Sequence, residues 1–223
     1  MESNYNKTKA YWNKVFIEEK EYSPFDKLPY PELEDSIKWL CNGSDSILDF
    51  GCGSGRVLSR CLYYKVSNIY GIDIADKAIN LAKNIMENNK FQGRSEFKSG
   101  SFNLLQGLGS QKFDGVIIFN ILDNLKPNDG KLLIKEINRL LKANGKVILK
   151  LNPYFPADEL DFNGNLENLS DNFYKESTGL FFWNISEQKL KEILKPYFEI
   201  IDSLEVEFKE FNISNRLYYL YKI

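Results

Sequence analysis

Histidine is absent from all 223 residues, which removes the commonest general base near neutral pH and the commonest metal ligand. A Ser-His-Asp hydrolase or a His-ligated metal enzyme cannot be built from this chain, and no metal is expected. Cysteine is scarce: Cys41, Cys52 and Cys61 form an odd set without metal-site spacing, so a reduced, cytoplasmic protein is the expectation. No apolar run approaches the roughly 18 residues of a membrane span, and Met1-Glu2-Ser3-Asn4-Tyr5 lacks the charged-then-apolar layout of a leader. Neither sign of charge dominates. Lys and Arg number 29 against 31 acids, for a net charge of −2, whereas a dedicated duplex binder carries a basic face. The composition therefore predicts neither a nucleic acid nor a membrane as partner.

What the chain does contain is apolar and aromatic, at 43% and 14% of residues. That is enough for the core of one α/β domain spanning 1–223 with a modest extra element. Its most informative stretch is Ile47-Leu48-Asp49-Phe50-Gly51-Cys52-Gly53-Ser54-Gly55-Arg56. An apolar run ending in an acid enters three glycines at alternate positions and then a helical pattern: strand, tight turn, helix start. A dinucleotide fingerprint would place its third glycine at position 56, where Arg56 stands instead. The next strand, Ser67 to Ile72, ends at Asp73, an acceptor suited to a ribose diol or to capping the following helix. Its register with the glycine loop favours the ribose.

This D-x-G-x-G-x-G strand-turn-helix closely resembles the first motif of class I S-adenosylmethionine (SAM) dependent methyltransferases. The likeness continues through Asp73 and Ile74, through Gly100-Ser101-Phe102 after a third strand, and through Phe113-Asp114-Gly115-Val116 running to Asn120. It covers roughly residues 40 to 152. The resemblance implies SAM as cofactor, with Asp49, Gly51, Cys52, Gly53 and Gly55 at the methionine moiety. It places Asp73 on the ribose, Ile74 on the adenine face, Ser101 and Phe102 at the adenine edge, and Asn120 near the methionine part. Arg56 and Lys27 are candidate partners for the SAM carboxylate, or solvated surface charges.

Around this centre, helix and strand patterns alternate: helix 4–19, helix 31–41, strand 46–50, helix 55–64, strand 67–72, helix 76–88, strand 95–98, strand 114–119, helix 128–142 and strand 145–151. Asn144-Gly145 reads as the stop of the long helix. A helix (187–194) and two strands (197–208 and 216–222), joined by a turn at 212–215, complete the chain. The alternation predicts a parallel sheet with helices on both faces, and the resemblance implies the rest: seven strands, mostly parallel with an antiparallel last strand, and an N-terminal helical lid.

The first helix groups Tyr5, Ala10, Trp12, Val15 and Phe16 on one side. Within the lid (1–30), Tyr11 and Trp12 are placed to offer a cation–π contact to a sulfonium or simply to dock the helix. Residues 152–184 are polar yet aromatic-rich, marked by turn signals at Asn163-Gly164-Asn165 and Thr178-Gly179, and occupy the place of a substrate cap; Tyr154 and Trp183 are its substrate candidates. Asn152-Pro153-Tyr154-Phe155 is similar to the N-P-P-Y motif of amino-methyltransferases, but it follows the fifth strand and lacks the second proline, so it reads as a turn at the site mouth. Asp123, either a catalytic base or a helix cap, and Asn124 follow the fourth strand, where the resemblance implies a place beside the acceptor. Methyl transfer tolerates the lack of histidine, because an activated electrophile chiefly needs an aligned acceptor and a dry site. The expected function is transfer of the SAM methyl group to oxygen or nitrogen of a small-molecule acceptor by a monomer or homodimer. The alternatives are a protein or RNA methyltransferase, or a SAM-binding module without catalysis.

Overall fold

The structure is a computed structural model describing residues 5–19, 22–89, 93–156, 159–160 and 166–223. The start of the first helix at residue 4 and the Asn163-Gly164-Asn165 turn lie outside the described residues.

Helix α1 (Asn6–Glu18) precedes α2 (Pro31–Cys41). The latter begins with proline at N1 and carries Glu32 and Glu34 in its first turn, both favourable at the positive end of a helix. Five parallel strands follow: β1 (Ser46–Phe50), β2 (Asn68–Asp73), β3 (Arg94–Ser99), β4 (Phe113–Phe119) and β5 (Leu141–Leu151). Helices α3 (Arg56–Tyr63), α4 (Asp76–Asn89), α5 (Phe102–Gln106) and α6 (Pro127–Leu140) connect them. A small antiparallel sheet of β6 (Leu166–Ser170), β7 (Phe173–Glu176) and β8 (Phe181–Trp183) comes next. Then α7 (Glu187–Leu194) leads into β9 (Phe198–Phe208) and β10 (Ile213–Lys222).

The main sheet has the order β3-β2-β1-β4-β5-β10-β9, and β10 runs antiparallel to both neighbours. All five residues of β1 are buried, as expected of a central parallel strand covered on both faces. Leu48, Phe50, Val116 and Ile118 pack with α5, α6 and α7, while Ile47, Ile117 and Ile148 pack with α2, α3 and α4. The direction of chain progression reverses between β1 and β4, which opens a crevice at the carboxyl ends of those strands. No described helix is long and apolar enough to cross a membrane.

Several expectations shift. Helix α6 stops at Leu140, and β5 begins at once, with Leu141 opposite Phe113. Asn144, at φ 57°, lies inside the register shift that follows, so Asn144-Gly145 marks an irregular strand rather than a helix end. Residues 166–183 hold a sheet where only turns were legible. Asn172 (φ 53°) turns β6 into β7, and Gly179 turns β7 into β8. The last hairpin turns between Phe208 and Ile213, earlier than 212–215, with Asn212 at φ 52°.

Candidate functional site

The crevice holds a cavity of about 250 Å³. Its floor is made by the ends of β1, β2 and β4 with the loops that follow them. Gly51 (φ 89°) and Gly53 (φ 52°) both line it. A Cβ on Gly51 would stand 2.2 Å from Ile121 Cδ1, and one on Gly53 would stand 3.0 Å from Phe16 Cζ. Both glycines leave bare backbone where a side chain would fill the space. Asp73 is 9% exposed and faces the cavity. Its carboxylate accepts the Gly53 N–H at 2.9 Å and the Ala75 N–H at 2.8 Å, so it holds the glycine loop and turns the local chain at once. Burial raises its carboxyl above the ordinary value, against the opposing pull of these N–H groups.

Ile74, Ser101 and Phe102 line the next part of the wall, and Asn120 and Asn124 the part after it. Ser101 Oγ is buried without a hydrogen-bond partner, as is Thr8 Oγ1 on the opposite wall. Buried hydroxyls are normally satisfied. Two such groups at a cavity lined by bare glycine backbone, apolar faces and a buried acid fit an adenosyl ligand: a diol for Asp73, a flat ring between Ile74 and its surroundings, and polar edges for the hydroxyls.

The roof is α1. Its cavity-facing stripe is Tyr5, Thr8, Trp12 and Phe16, at helical spacing. Val15, expected on that side, is 38% exposed. Tyr11 is not on the wall; it stacks edge-on against Trp12 with ring centroids 5.3 Å apart. No residue within α1 is buried, and polar contacts hold it in place. Tyr5 Oη donates to Asp129 at 2.8 Å and accepts the Lys126 N–H at 3.1 Å. Lys9 pairs with Asp76 at 2.8 Å, Asn13 accepts the Lys77 N–H, and Glu19 accepts the Ser54 hydroxyl.

Other candidates stand off the wall. Asp49 is buried beneath the loop with Oδ1 unpartnered, its carboxyl pushed up by burial and by Asp73. Cys52 turns toward the bare face of Gly71, and burial pushes its thiol up. Gly55 packs against Phe97 and Ala82 at the start of α3. Arg56 is exposed and lies 5.4 Å over the Tyr22 ring. Asp123 is not at the cavity as a base would be: it is 1% exposed and accepts the Asn152 N–H at 2.7 Å. It does not cap α6 either, whose N-cap lacks a side-chain bond. Trp183, expected at the substrate, is 4% exposed and packs over Gly130 in the core, whereas Tyr154 is 41% exposed outside the wall.

Sequence reasoning missed Thr8, Phe16 and Asp129 on the wall. The stripe spacing of α1 was the available signal for the first two; Asp129 carried none. It also missed Lys150, which is 9% exposed between the rings of Phe119 and Phe208, 5.5 and 5.2 Å from their centroids. Burial lowers its ammonium to about 8, with Asp123 pulling the other way.

A family model described as a methyltransferase domain matches residues 42–200. The chain is 28% identical over 178 residues to a tRNA N(3)-methylcytidine methyltransferase of Schizosaccharomyces pombe, covering 78% of this chain and 57% of that protein. It is 26% identical over 206 residues to a tRNA(Thr) (cytosine(32)-N(3))-methyltransferase of Saccharomyces cerevisiae, covering 87% of this chain and 32% of the relative. The chain thus spans about half of the first relative and a third of the second. Among solved structures, the Burkholderia thailandensis 1,6-didemethyltoxoflavin-N1-methyltransferase with bound S-adenosylhomocysteine superimposes with a TM-score of 0.67 at 16% identity, over 99% of this chain and 86% of that one.

The two tRNA-directed relatives overturn the expectation of a small-molecule acceptor and no nucleic-acid partner. Net charge averages the whole surface and does not exclude such a partner, because a base turned out of RNA is recognised by stacking and edge hydrogen bonds that need few cations. With its family model spanning most of the sheet and its glycine loop at the switch point, the chain belongs to the methyltransferase-domain family, as a class I SAM-dependent methyltransferase.

Proposed function

We propose that this protein methylates RNA, with a cytosine ring nitrogen of tRNA as acceptor. The observation that carries the reading is the likeness to two tRNA cytosine methyltransferases across 78% and 87% of the chain. When bound, SAM supplies an electrophilic methyl group. Asp73 accepts hydrogen bonds from the ribose hydroxyls, and Ile74 and Phe102 flank the adenine, with Ser101 and Thr8 on polar edges. Bare backbone at Gly51 and Gly53 receives the methionine part. Residues 1–30 act as a lid whose Trp12 and Phe16 exclude water. Residues 152–184 flank the acceptor, with Tyr154 exposed for stacking.

A cytosine ring nitrogen carries an in-plane lone pair, so no proton has to leave before the transfer. That agrees with a chain lacking histidine and with Asp123 held away from the cavity. What the protein must contribute is alignment and exclusion of water. The test is incubation with labelled SAM and unfractionated tRNA, followed by digestion to nucleosides. Label in methylcytidine is the expected result. Label in no RNA nucleoside overturns the reading, and label in ribosomal protein offered in a parallel incubation would point to protein methylation instead. A shorter likeness to ribosomal protein L11 methyltransferases, 34% identity over 114 residues in the Staphylococcus carnosus protein, makes that the second reading.

A further inference from the structure

At the ends of β4 and β5 two asparagine amides are joined head to tail. Asn120 is in the left-handed conformation (φ 53°) and donates its backbone N–H to the Lys150 carbonyl at 2.8 Å. Its side-chain Nδ2 donates to Asn152 Oδ1 at 2.6 Å. The backbone of each partner is anchored separately. Asn124 Nδ2 donates to the Asn120 carbonyl at 2.5 Å, Asp123 accepts the Asn152 N–H at 2.7 Å, and Arg216 Nε donates to the Asn152 carbonyl at 3.1 Å. Asp123 is 1% exposed with its other oxygen unpartnered, and burial raises its carboxyl against the pull of the Asn152 N–H, its own N–H and the nearby Arg216 and Lys150 charges. A buried carboxylate holding a loop amide fixes the position of that residue, and preorganised polar groups act without reorganising.

The pair uses one donor of Asn120 and the acceptor of Asn152. Asn120 Oδ1 and Asn152 Nδ2 make no hydrogen bond within the protein among the described residues, and Asn120 borders the cavity. That leaves a free acceptor on the cavity wall, Asn120 Oδ1, and a free donor on the residue bonded to it, Asn152 Nδ2.

We infer that Asn120 and Asn152 read the edge of the methylated base and select cytosine, an inference that rests on the RNA reading above. Cytosine offers an acceptor (O2) and an amino donor (N4) on either side of N3. Asn152 Nδ2 donates to O2 and Asn120 Oδ1 accepts from the N4 amino group, leaving the N3 lone pair free between them. Uracil presents a second carbonyl where cytosine has its amino group, so Asn120 Oδ1 would meet another acceptor. Adenine offers its N6 amino group beside N1 but only a C–H on the other side. In this scheme Asp123 is a positioning residue, acting through the Asn152 backbone.

The experiment compares wild type, Asn152→Asp, Asp123→Asn and Asp123→Ala on unfractionated tRNA with labelled SAM, with SAM affinity and melting temperature measured alongside. In Asn152→Asp the carboxylate still accepts from Asn120 Nδ2 but cannot donate to O2. Methylcytidine formation should fall on the order of 10- to 100-fold, the range for a bidentate base contact, with SAM affinity within about two-fold of wild type. Asp123→Asn retains an acceptor for the Asn152 N–H and should lose several-fold less than Asp123→Ala. A base at Asp123 would instead make the two variants equally inactive. RNA methylation by the wild type that Asn152→Asp leaves within two-fold, or a parallel loss of SAM affinity in that variant, overturns the inference alone. Failure of the wild type to label any RNA base removes the RNA reading, and this inference with it.

Discussion

The two walls of the cavity are built on opposite principles. The floor belongs to the core: β1 is buried along its whole length, Ile72 is fully buried, and Asp73 ties its strand end to the glycine loop. The roof, α1, buries none of its own residues: Tyr5, just ahead of it, anchors it in the core against Phe181, and the rest is attached by polar contacts such as Lys9–Asp76 and Glu19–Ser54. Lys9 and Asp76 are 40% and 52% exposed, and such surface pairs are each worth well under about 1 kcal/mol. The apolar stripe of the roof faces the cavity, so its apolar gain comes with whatever fills that cavity. A wall formed by the core persists without ligand; a wall attached at its rim is stabilised by ligand.

Substitutions at three positions break or sharpen this contrast. The largest effect is expected of Gly53→Val, on the floor where the two walls meet. A branched side chain at φ 52° costs about 1–2 kcal/mol of backbone strain, and its Cβ would press on Phe16. Calorimetry should show SAM affinity lowered on the order of 100-fold or more, with a folded protein; normal binding would mean that the loop is not the cofactor site.

Asp73→Ala comes next. Losing an ionised acceptor should weaken SAM by roughly 1.5–3 kcal/mol, on the order of 10- to 150-fold in Kd. It should also lower the melting temperature, because the Gly53 and Ala75 N–H groups lose their partner. SAM affinity in the wild type should drop on acidification through the raised pKa of Asp73, since only the carboxylate accepts both ribose hydroxyls. The stability of the ligand-free protein moves the other way. Between the ordinary and the raised value the folded chain holds the proton more than the unfolded one, so stability falls as pH rises through that window. Asp73→Asn should remove the Asp73 share of both profiles, leaving in the ligand-free melts that of the buried Asp49 and Asp123, as read by calorimetry and thermal melts across pH.

The smallest effect is Trp12→Ala on the roof. SAM should weaken by about 1–2 kcal/mol, the scale of a desolvated aromatic–cation contact. Without ligand the melting temperature should stay within a degree or two, because the helix carries no core. A large drop in the ligand-free melt would show that the roof is part of the core and that the contrast between the walls is wrong.

Legibility followed the same division. Strand β1, helix α2 and helix α7 are readable from local pattern, since an apolar run ahead of a glycine turn, Pro31 at a helix start and helical spacing are decided within a few residues. The Gly51 and Gly53 turn is equally local, because its backbone needs residues without a Cβ. The small β6-β7-β8 sheet was not readable. Its strands are three to five residues long, and β6 is largely exposed, so periodicity has little to show. Trp183 and Tyr154 illustrate the cost: both are aromatics in one segment, yet one packs in the core and the other lies at the surface.

By itself the sequence determined the element order, the glycine turn and the acid that follows the second strand, because each depends on neighbours within one turn or one strand. The tertiary structure alone decided which side chains meet. It joined Asn120 to Asn152 across 32 positions and Tyr5 to Asp129 across 124, turned Phe16 rather than Val15 toward the cavity, and moved Asp123 from candidate base to backbone anchor. Such meetings depend on strand order and helix docking, which arise from burying the whole core at once and leave no mark in any single stretch of chain.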